Sequence, residues 1–292
     1  MEHETRLQKF LTVFLGLFWF IDGILQLQPQ MFSSAFITNI LTPNLQNQPQ
    51  IFATWITFGI HVVALHMMFE NFLFAFLQIA IGIVLLLPIP KVWKKIALWI
   101  SIPWSLSVWI FGEGLGNLFT GSASFYTGAP GAVFLYLILA LFLLFPNKLK
   151  SEYLPRVVGG IFFLGGLLQE TPMFWTKNMQ SMLWQMSEQE NISLIASPAK
   201  ELSKLLVSTS SINLVAIGSL IILGILLLLK PTKVLGWITI GFLFLVWWIS
   251  QDFGGIFTFP FGIATDPNTA PLFMLFLFPL FFSVNSSEGK SK

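Results

Sequence analysis

Long apolar segments, broken by short polar stretches, run through the whole chain. Several of them approach or reach the roughly 20 residues that a helix needs to cross the hydrocarbon of a bilayer. The clearest are 10–27, 72–87, 212–229 and 237–249. No segment alternates apolar and polar residues as a half-buried strand does. The pattern therefore predicts an all-α integral membrane protein.

The polar residues that interrupt these segments recur at offsets of roughly 142 residues. The matches are colinear. The first group pairs Gly23, Gln26, Pro29 and Met31-Phe32 with Gly166, Gln169, Pro172 and Met173-Phe174, and the second pairs Asn71, Gly82 and Lys91-Val92 with Asn213, Gly224 and Lys233-Val234. The third pairs Trp109, Gly116 and Phe119-Thr120 with Trp247, Gly254 and Phe257-Thr258, and the last pairs Ala129-Pro130 with Ala270-Pro271. Chance similarity explains matched leucines better than matched Gln, Pro and Asn. We therefore interpret the chain as two tandem membrane modules, 1–150 and 151–292.

Charge decides the topology that we expect. The segment 51–69 is apolar enough to cross, but its counterpart, 193–207, is polar. If neither crosses, the chain has eight transmembrane helices, and 12 of its 15 Lys and Arg lie on one side. The spans are then 10–27, 71–88, 95–111, 130–146, 157–169, 212–229, 235–250 and 270–283. Letting both segments cross scatters the basic loops and loses the bias that orients insertion.

This reading predicts a multi-pass protein of the cell membrane with both termini in the cytoplasm. Each module has an even number of spans, so the two four-helix modules run parallel and are related by a pseudo-twofold axis along the membrane normal. The first apolar segment contains Asp22 and lacks a small-x-small cleavage site, and we interpret it as a retained helix. The loops 28–50, 112–129, 171–210 and 251–269 then share the extracytoplasmic side.

Composition excludes several classes of function. The net charge is only +2, so no basic surface for nucleic acid is expected, and the expected partners are the lipid bilayer and other membrane subunits. The chain has no cysteine, which excludes thiol chemistry, disulfides and thiolate-bound metals.

Polar groups near the outer ends of the spans form the candidate site. Asp22 and Gln26 lie four residues apart, on one face of the first span, and an ionisable group inside a span is costly enough to suggest a function. The second copy has Gly165 where the first has Asp22. A structural role in holding the helices together is the alternative.

Glycine-rich segments end the third span of each copy: Gly112-Glu113-Gly114-Leu115-Gly116 and Gln251-Asp252-Phe253-Gly254-Gly255. They lack the Gly-Lys-Ser/Thr ending of a phosphate-binding loop. We expect Glu113 and Asp252 to face each other across the pseudo-twofold axis, although they are equally typical of solvated loop acids. The full predicted ligand-binding set is Asp22, Gln26, Trp109, Glu113, Gln169, Trp247, Gln251 and Asp252.

Histidine offers little for a metal or a haem. His61 and His66 are five residues apart, about 140° around a helix, too far round to chelate one metal ion together. Each remains a separate candidate ligand, and packing or interfacial positions are the default reading. Most of the 11 tryptophans lie near span ends, as in an aromatic belt.

Two features of the first module carry a resemblance to a known family. Leu15-Gly16-Leu17-Phe18 leads to Gly23 and Gln26, and a long apolar stretch ends at Leu85-Leu86-Leu87-Pro88 with Lys91 beyond. This pattern resembles the DoxX/DoxD-like group of four-span membrane proteins, here duplicated in tandem. The group's pattern has a basic residue near Gln26 and an acid near Asn71, and this chain has neither at those positions. The resemblance implies an association with quinone-linked oxidation in the membrane.

The sequence leaves three functions open. The first is a redox-associated subunit that binds a quinone, or another small lipid-soluble or polar ligand, in a cavity on the extracytoplasmic side. The second is a transporter of small solutes or ions, which requires a polar path toward the cytoplasm. The third is a non-catalytic scaffold or accessory subunit. Quinone and haem are the cofactors that these readings leave open, and no residue identifies a catalytic group.

Overall fold

The computed structural model describes residues 5–175, 198, 200–204 and 210–282, and within these ranges it contains helices and no strand. The first half forms α1 (Arg6–Leu25), α2 (Gln50–Leu65), α3 (Met67–Leu86), α4 (Lys91–Phe111) and α5 (Ala132–Leu144). The second half forms α6 (Leu154–Leu168), α7 (Ser210–Leu229), α8 (Lys233–Ile249) and α9 (Ala270–Leu277). The prediction of an all-helical chain is confirmed for the described residues.

The two ends of the helix bundle differ in their connections. Short turns, 87–90, 145–153 and 230–232, join helices at one end, which we call the basic end because Lys91, Lys148 and Lys230 lie there. The long connections 26–49, 112–131 and 250–269 leave and enter helices at the other end, which we call the loop end. Because successive helices joined by short turns run antiparallel, these long connections share one end of the bundle.

The outer faces of the helices are apolar. Phe72, Phe76, Val215, Ile222 and Trp237 are among the large side chains that remain exposed. Three helices are long and apolar enough to cross a membrane: Arg6–Leu25, Met67–Leu86 and Ile212–Leu229. The pair Lys233–Ile249 and Asp252–Thr258, bent by 51°, qualifies as a fourth if it is one span. The described chain thus has three or four candidate spans, and the architecture of eight stays a prediction.

Close helix packing recurs in the two halves. α1 packs along α3 so tightly that a Cβ on Gly82 would lie 2.6 Å from the backbone nitrogen of Phe20. α6 packs along α7 in the same way, and a Cβ on Gly224 would lie 2.8 Å from the backbone nitrogen of Phe163. Glycine permits this approach because it has no side chain, as at helix interfaces in membranes. The matched positions are those that the sequence comparison paired.

Side-chain amide pairs fasten the loop end of each helix pair. Gln26 at the end of α1 donates to the Asn71 side chain, and Asn71 Nδ2 donates back to the Gln26 carbonyl at 3.0 Å. In the second half, Gln169 Nε2 donates to Asn213 Oδ1 at 3.0 Å, and Asn213 Nδ2 donates to the Gln169 carbonyl at 3.3 Å. Each pair satisfies buried polar groups where the helices meet.

The turn after α4 in the first half corresponds to the turn after α8 in the second half. Trp109 Nε1 donates to the Pro130 carbonyl, and Trp247 Nε1 donates to the Pro267 carbonyl, both at 2.7 Å. The backbone then passes through left-handed conformations at 114–116 and at 252–255. Pro130 therefore corresponds in its contacts to Pro267, whereas the sequence comparison had paired it with Pro271.

Helix α2 begins and ends at the loop end of the bundle. Just before it, Asn44 Nδ2 donates to the Gly112 carbonyl at 2.6 Å and Gln48 Nε2 donates to the Gly114 carbonyl at 2.8 Å, at the end of α4. After it, only His66 separates α2 from the start of α3. Since both neighbours lie at the loop end, α2 does not run through the bundle to the basic end.

Candidate functional site

A cavity of about 280 Å³ lies at the loop end of the first half, between α1, α2, α3 and α4. Its wall is largely apolar and rich in aromatic rings, contributed by Phe36, Phe58, Phe74, Trp104 and Phe111. Its polar lining consists chiefly of carboxyl and carboxamide groups, from Asp22, Gln26, Glu70, Gln78, Glu113 and Asp266. The cavity is therefore amphipathic.

Asp22 is the most buried acid of the cavity. It lies on the last turns of α1, is 2% exposed, and leaves its Oδ1 without a hydrogen-bond partner among the described residues. The Tyr136 hydroxyl of α5 lies close enough to interact with this carboxyl, but that hydroxyl forms no hydrogen bond of good geometry either. A buried polar atom without a partner costs free energy, so Asp22 is retained at a cost to the fold.

Gln26 and Gln78 enter the cavity from α1 and α3. Gln26 is fixed in place by its bonds to Asn71. Gln78, seven residues further along α3 than Asn71, is 6% exposed, and its Oε1 has no described partner. Gln26 thus serves mainly to hold the helices, while Gln78 offers a free acceptor to the cavity.

Glu113 joins the end of α4 to the start of α5. Its Oε1 accepts from the backbone N–H of Val133 at 3.2 Å, so the carboxyl caps the N-terminus of α5, where the helix dipole favours negative charge. A Cβ on Gly131 would lie 2.1 Å from Glu113 Oε2, so glycine is needed there to admit the carboxyl. Oε2 has no described partner, and Glu113 is one of the residues that line the cavity.

Asp266 comes from the second half of the chain. Its Oδ2 accepts from the Thr265 hydroxyl at 2.8 Å, and its Oδ1 accepts from the Asn268 backbone N–H at 2.7 Å. It also lines two other, more open cavities at the loop end, of about 500 and 160 Å³. Asp266 is therefore the residue at which all three cavities adjoin.

The acids act on one another. Burial raises the pKa of Glu113 well above its usual range and the nearby Asp266 carboxyl raises it further, against the opposing effect of the Val133 N–H. Burial also raises the pKa of Asp266, although its bonds from Thr265 and Asn268 oppose the change. No Lys, Arg or His stands among the described residues that line the cavity. Negative charge on these acids is thus not balanced by a basic side chain of the described lining.

The second half has the same framework, but among its described residues an aromatic ring occupies the equivalent interior. At six positions that the shared contacts pair, the second half has a less polar residue than the first. The first-half residue and its second-half counterpart are Trp19 and Phe162, Asp22 and Gly165, Gln78 and Leu220, Trp104 and Phe242, Glu113 and Gln251, and Tyr136 and Phe273. Phe125 packs there, with ring centroids 4.7 Å from Phe162 and 5.2 Å from Phe273. A Cβ on Gly165 would lie 3.2 Å from Phe125 Cβ, a tight contact, so a side chain at this position requires Phe125 to shift.

Loops exchanged between the halves produce this difference. The first-half loop places Phe125 and Tyr126 into the second half, where the Tyr126 hydroxyl donates to the Ala216 carbonyl at 2.9 Å. The second-half loop reaches back to the first half, where Gln28 Nε2 donates to the Ala264 carbonyl at 2.7 Å. The first loop delivers aromatic rings and the second delivers Asp266.

The polar atoms without described partners follow the same division. Four of those atoms belong to residues that line the first-half cavity, Asp22 Oδ1, Gln78 Oε1, Trp104 Nε1 and Glu113 Oε2, whereas Thr171 Oγ1 is the one in the described second half. In the second half, Gln251 stands in for Glu113 and uses both ends of its amide: Oε1 accepts from Ala270 N–H and Nε2 donates to Thr269 Oγ1, each at 3.0 Å. The open cavity has unused hydrogen-bonding capacity.

The structure brings together only some of the residues that the sequence put into one site. Asp22, Gln26 and Glu113 share the first-half cavity, while Gln251 and Asp252 line the separate cavity of about 500 Å³. Gln169 is buried in the second half, where it accepts from Ser124 at 2.8 Å. Trp109 and Trp247 hold the turns before α5 and α9.

The histidine candidates lie elsewhere. His61 and His66 are exposed on and after α2. Within the part of the chain that the structure describes, no three His, Asp or Glu side chains are arranged to hold a metal ion. His3 lies outside the described residues.

Sequence reasoning missed Asp266 and the wall formed by α2. The only sequence signal for Asp266 is an acid in a Pro-rich and Gly-rich loop, 244 residues from Asp22 along the chain. Nothing in the sequence of α2 predicted that this helix forms a wall of the cavity, because its apolar pattern is equally typical of a transmembrane span. No family model, curated protein or solved structure matches this chain, so what the site does rests on its own geometry.

Proposed function

We propose that this is a multi-pass membrane protein of two tandem four-helix modules that binds a small amphipathic molecule in the first-half cavity. The membrane part is supported by the exposed apolar faces of α3, α7 and α8, because large apolar surfaces are rare on soluble monomers. The duplication is supported by the amide pairs, glycine contacts and tryptophan bonds that recur in both halves.

In this architecture the chain has the eight predicted spans, and α2 lies across the loop end without crossing the membrane. Helices α5 and α9, with 13 and 8 residues, are shorter than a full span. Their flanking loops are packed within protein, where irregular backbone at membrane depth is tolerated. Leu135, Tyr136 and Leu139 of α5 are completely buried, which supports an inner position for this helix.

The orientation is tested by thiol labelling, because the chain has no cysteine of its own. We expect a single cysteine replacing Asn44 to react with a membrane-impermeant reagent in intact cells. A cysteine replacing Lys94 should react only after lysis. Labelling of the Lys94→Cys variant in intact cells contradicts the orientation. A tag near Glu188, outside the described residues, should report the same side as Asn44.

One observation carries the ligand-binding part: a buried carboxyl, Asp22, faces an unfilled cavity in one half, while the equivalent site of the other half has Gly165 and is filled by Phe125. An unpartnered buried carboxyl is expensive to keep. A ligand that bonds to it explains why the first half is open and polar. Apolar walls with a few convergent polar groups are typical of small-molecule sites.

Binding is favoured over transport through the protein. Between the cavity and the basic end, the core of the first half is filled by apolar side chains that are completely buried, namely Leu11, Leu15, Leu85, Leu135 and Leu139. A continuous polar path toward that end is not supported. The DoxX/DoxD-like resemblance implies quinone-linked oxidation, and the quinol form of such a ligand has hydroxyls that donate to carboxyls. An accessory role in a larger membrane complex is compatible with the same site.

Ligand extraction tests the proposal. Gently purified wild-type protein should carry a small lipophilic molecule, detected by mass spectrometry and absorbance after solvent extraction. The variant Asp22→Gly/Gln78→Leu, which installs the second-half residues, should lose it. Glu152→Gln, at an exposed acid whose side chain is 66% exposed, is the matched control and should retain it. Equal amounts of every extracted molecule in all three proteins contradict the proposal.

A further inference from the structure

The charge of the first-half cavity restricts its ligand. Four of its lining residues are acids, Asp22, Glu70, Glu113 and Asp266, and its described lining includes no basic side chain. Of the unpartnered polar atoms on the lining, three are acceptors, on Asp22, Gln78 and Glu113, and one, Trp104 Nε1, is a donor. A complementary ligand must therefore bring donors or positive charge. A carboxylate or phosphate group would meet repulsion.

The aromatic walls favour the same class of ligand. Trp104 and Phe74 pack with ring centroids 5.2 Å apart beside the acids, and Phe58, Phe111 and Phe36 complete the wall. Aromatic faces attract organic cations through their ring quadrupoles, and Trp does so most strongly. No set of three ligating side chains for a metal ion exists among the described residues. Rings and carboxyls together suit an organic cation better than an inorganic one.

The place where the cavity reaches the surface of the molecule favours a cation that also has an apolar part. Phe58 and Val62 of α2 line the cavity and are also 65% and 40% exposed, so the cavity borders the outer surface of the molecule at α2. The acids Asp22, Glu113 and Asp266 belong to α1, to the connection that caps α5 and to the second-half loop, and none of them is on α2. A ligand entering past α2 would place its polar group among these acids and leave its apolar part near the rings.

We infer that the cavity binds an organic cation with an apolar or aromatic body, its ammonium group lying among Asp22, Glu113 and Asp266. This inference rests on the proposed ligand-binding function and names the chemical class of the ligand. It differs from the quinol that the family resemblance implies, because a quinol is neutral.

A matched pair of probes tests the charge. Benzyltrimethylammonium is permanently charged, and neopentylbenzene has the same shape without the charge. Binding is measured by equilibrium dialysis against the protein in phosphatidylcholine nanodiscs, with empty nanodiscs as the blank for partitioning. We expect saturable binding of the cation, at least about tenfold tighter than that of the neutral probe. Asp22→Asn and Asp266→Asn should each weaken cation binding by about tenfold or more and leave the neutral probe unchanged.

Controls separate this inference from the function on which it rests. Glu152→Gln should bind the cation like the wild type, and thermal unfolding in the same nanodiscs shows which variants are folded. Equal binding of both probes, or tighter binding of a neutral hydroquinone, overturns the cation and leaves the ligand cavity standing. Failure of all the probes, together with identical extracts from wild type and Asp22→Gly/Gln78→Leu, overturns both.

Discussion

The two halves of this protein share a framework and differ in what they enclose. Gln26 with Asn71 and Gln169 with Asn213 form the same pair of bonds at the same end of equivalent helices. Within that framework, the first half encloses a cavity with acids, and the described part of the second encloses aromatic rings packed around Phe125. The comparison shows that the framework does not require the cavity. The acids therefore need an explanation other than folding.

Stability points the same way. Filling an interior with rings avoids both voids and unpartnered polar atoms, each of which destabilises a protein. The second half adopts that solution, and the first half departs from it at Asp22, Gln78 and Glu113. Proteins commonly give up stability at sites that act on ligands. The second half thus serves as an internal reference for the cost of the first-half site.

The largest effect is expected from forcing an acid into the filled half. Gly165→Asp places a carboxyl against Phe125 without a described partner, and both overpacking and desolvation should lower stability by about 3 kcal/mol or more. Gly165→Ala should cost less, about 1 kcal/mol. Reversible unfolding in detergent measures both. Removing the obstructing ring in Gly165→Asp/Phe125→Ala should cost less than the sum of the single changes. Unchanged stability of Gly165→Asp would show that this interior is not filled.

Converting the open half should nearly abolish binding. Asp22→Gly, Gln78→Leu and Glu113→Gln together install the residues of the second half at the cavity. We expect affinity for the bound molecule to fall about a hundredfold, equivalent to ~2.7 kcal/mol. Equilibrium dialysis measures the change. Thermal stability should stay equal or rise, because unpartnered polar groups are removed. A converted protein that binds normally would mean that the comparison of the halves does not concern a ligand.

Breaking the shared framework should affect the two halves alike. Gln26→Leu and Gln169→Leu each leave a buried asparagine without its amide partner, which should cost about 2 kcal/mol. The cost at Gln169 should be somewhat larger, since that side chain also accepts from Ser124. Chemical unfolding of the two variants gives the comparison. If one substitution is neutral and the other severe, the two pairs are not equivalent.

The smallest effect is a pH dependence confined to the first-half site. Burial raises the pKa of Glu113 and of Asp266, so each carboxyl binds its proton more tightly in the folded protein than in the unfolded chain. Stability of the ligand-free protein should therefore fall as pH rises from the usual carboxyl range through the raised pKa values. Cation binding should instead strengthen over that range. Melting temperatures across pH test this, and Glu113→Gln/Asp266→Asn should give a flatter profile.

Much of the framework could be predicted from the sequence. Apolar runs mark the helices, and the predicted segment 212–229 lies within Ser210–Leu229 of α7. Matched Gln, Asn and Gly positions mark the contacts that recur, since such residues are rare in apolar helices. Helix ends were less predictable: α9 ends at Leu277, and 278–280 continue as a 3-10 turn rather than as the span to 283 that the apolar pattern predicted.

The composition of the site could not be predicted to the same degree. The sequence placed Asp22, Gln26 and Glu113 in one predicted site, and all three line one cavity. It set Glu113 opposite Asp252, whereas the structural counterpart of Glu113 is Gln251. Asp266 depends on a loop whose contacts, such as Gln28 with Ala264, join residues 236 positions apart. Contacts at that separation leave no local pattern in the chain.

The difference between an open and a filled interior is the central claim, and one pair of cysteines tests it most directly. Val133 and Ala270 occupy equivalent positions, next to the capping side chains Glu113 and Gln251. Only Val133 lines the cavity. In the cysteine-free chain, Val133→Cys should react readily with a small neutral thiol reagent, and Ala270→Cys should react at least about tenfold more slowly, because it needs local unfolding. Equal reaction rates at the two positions would contradict the account.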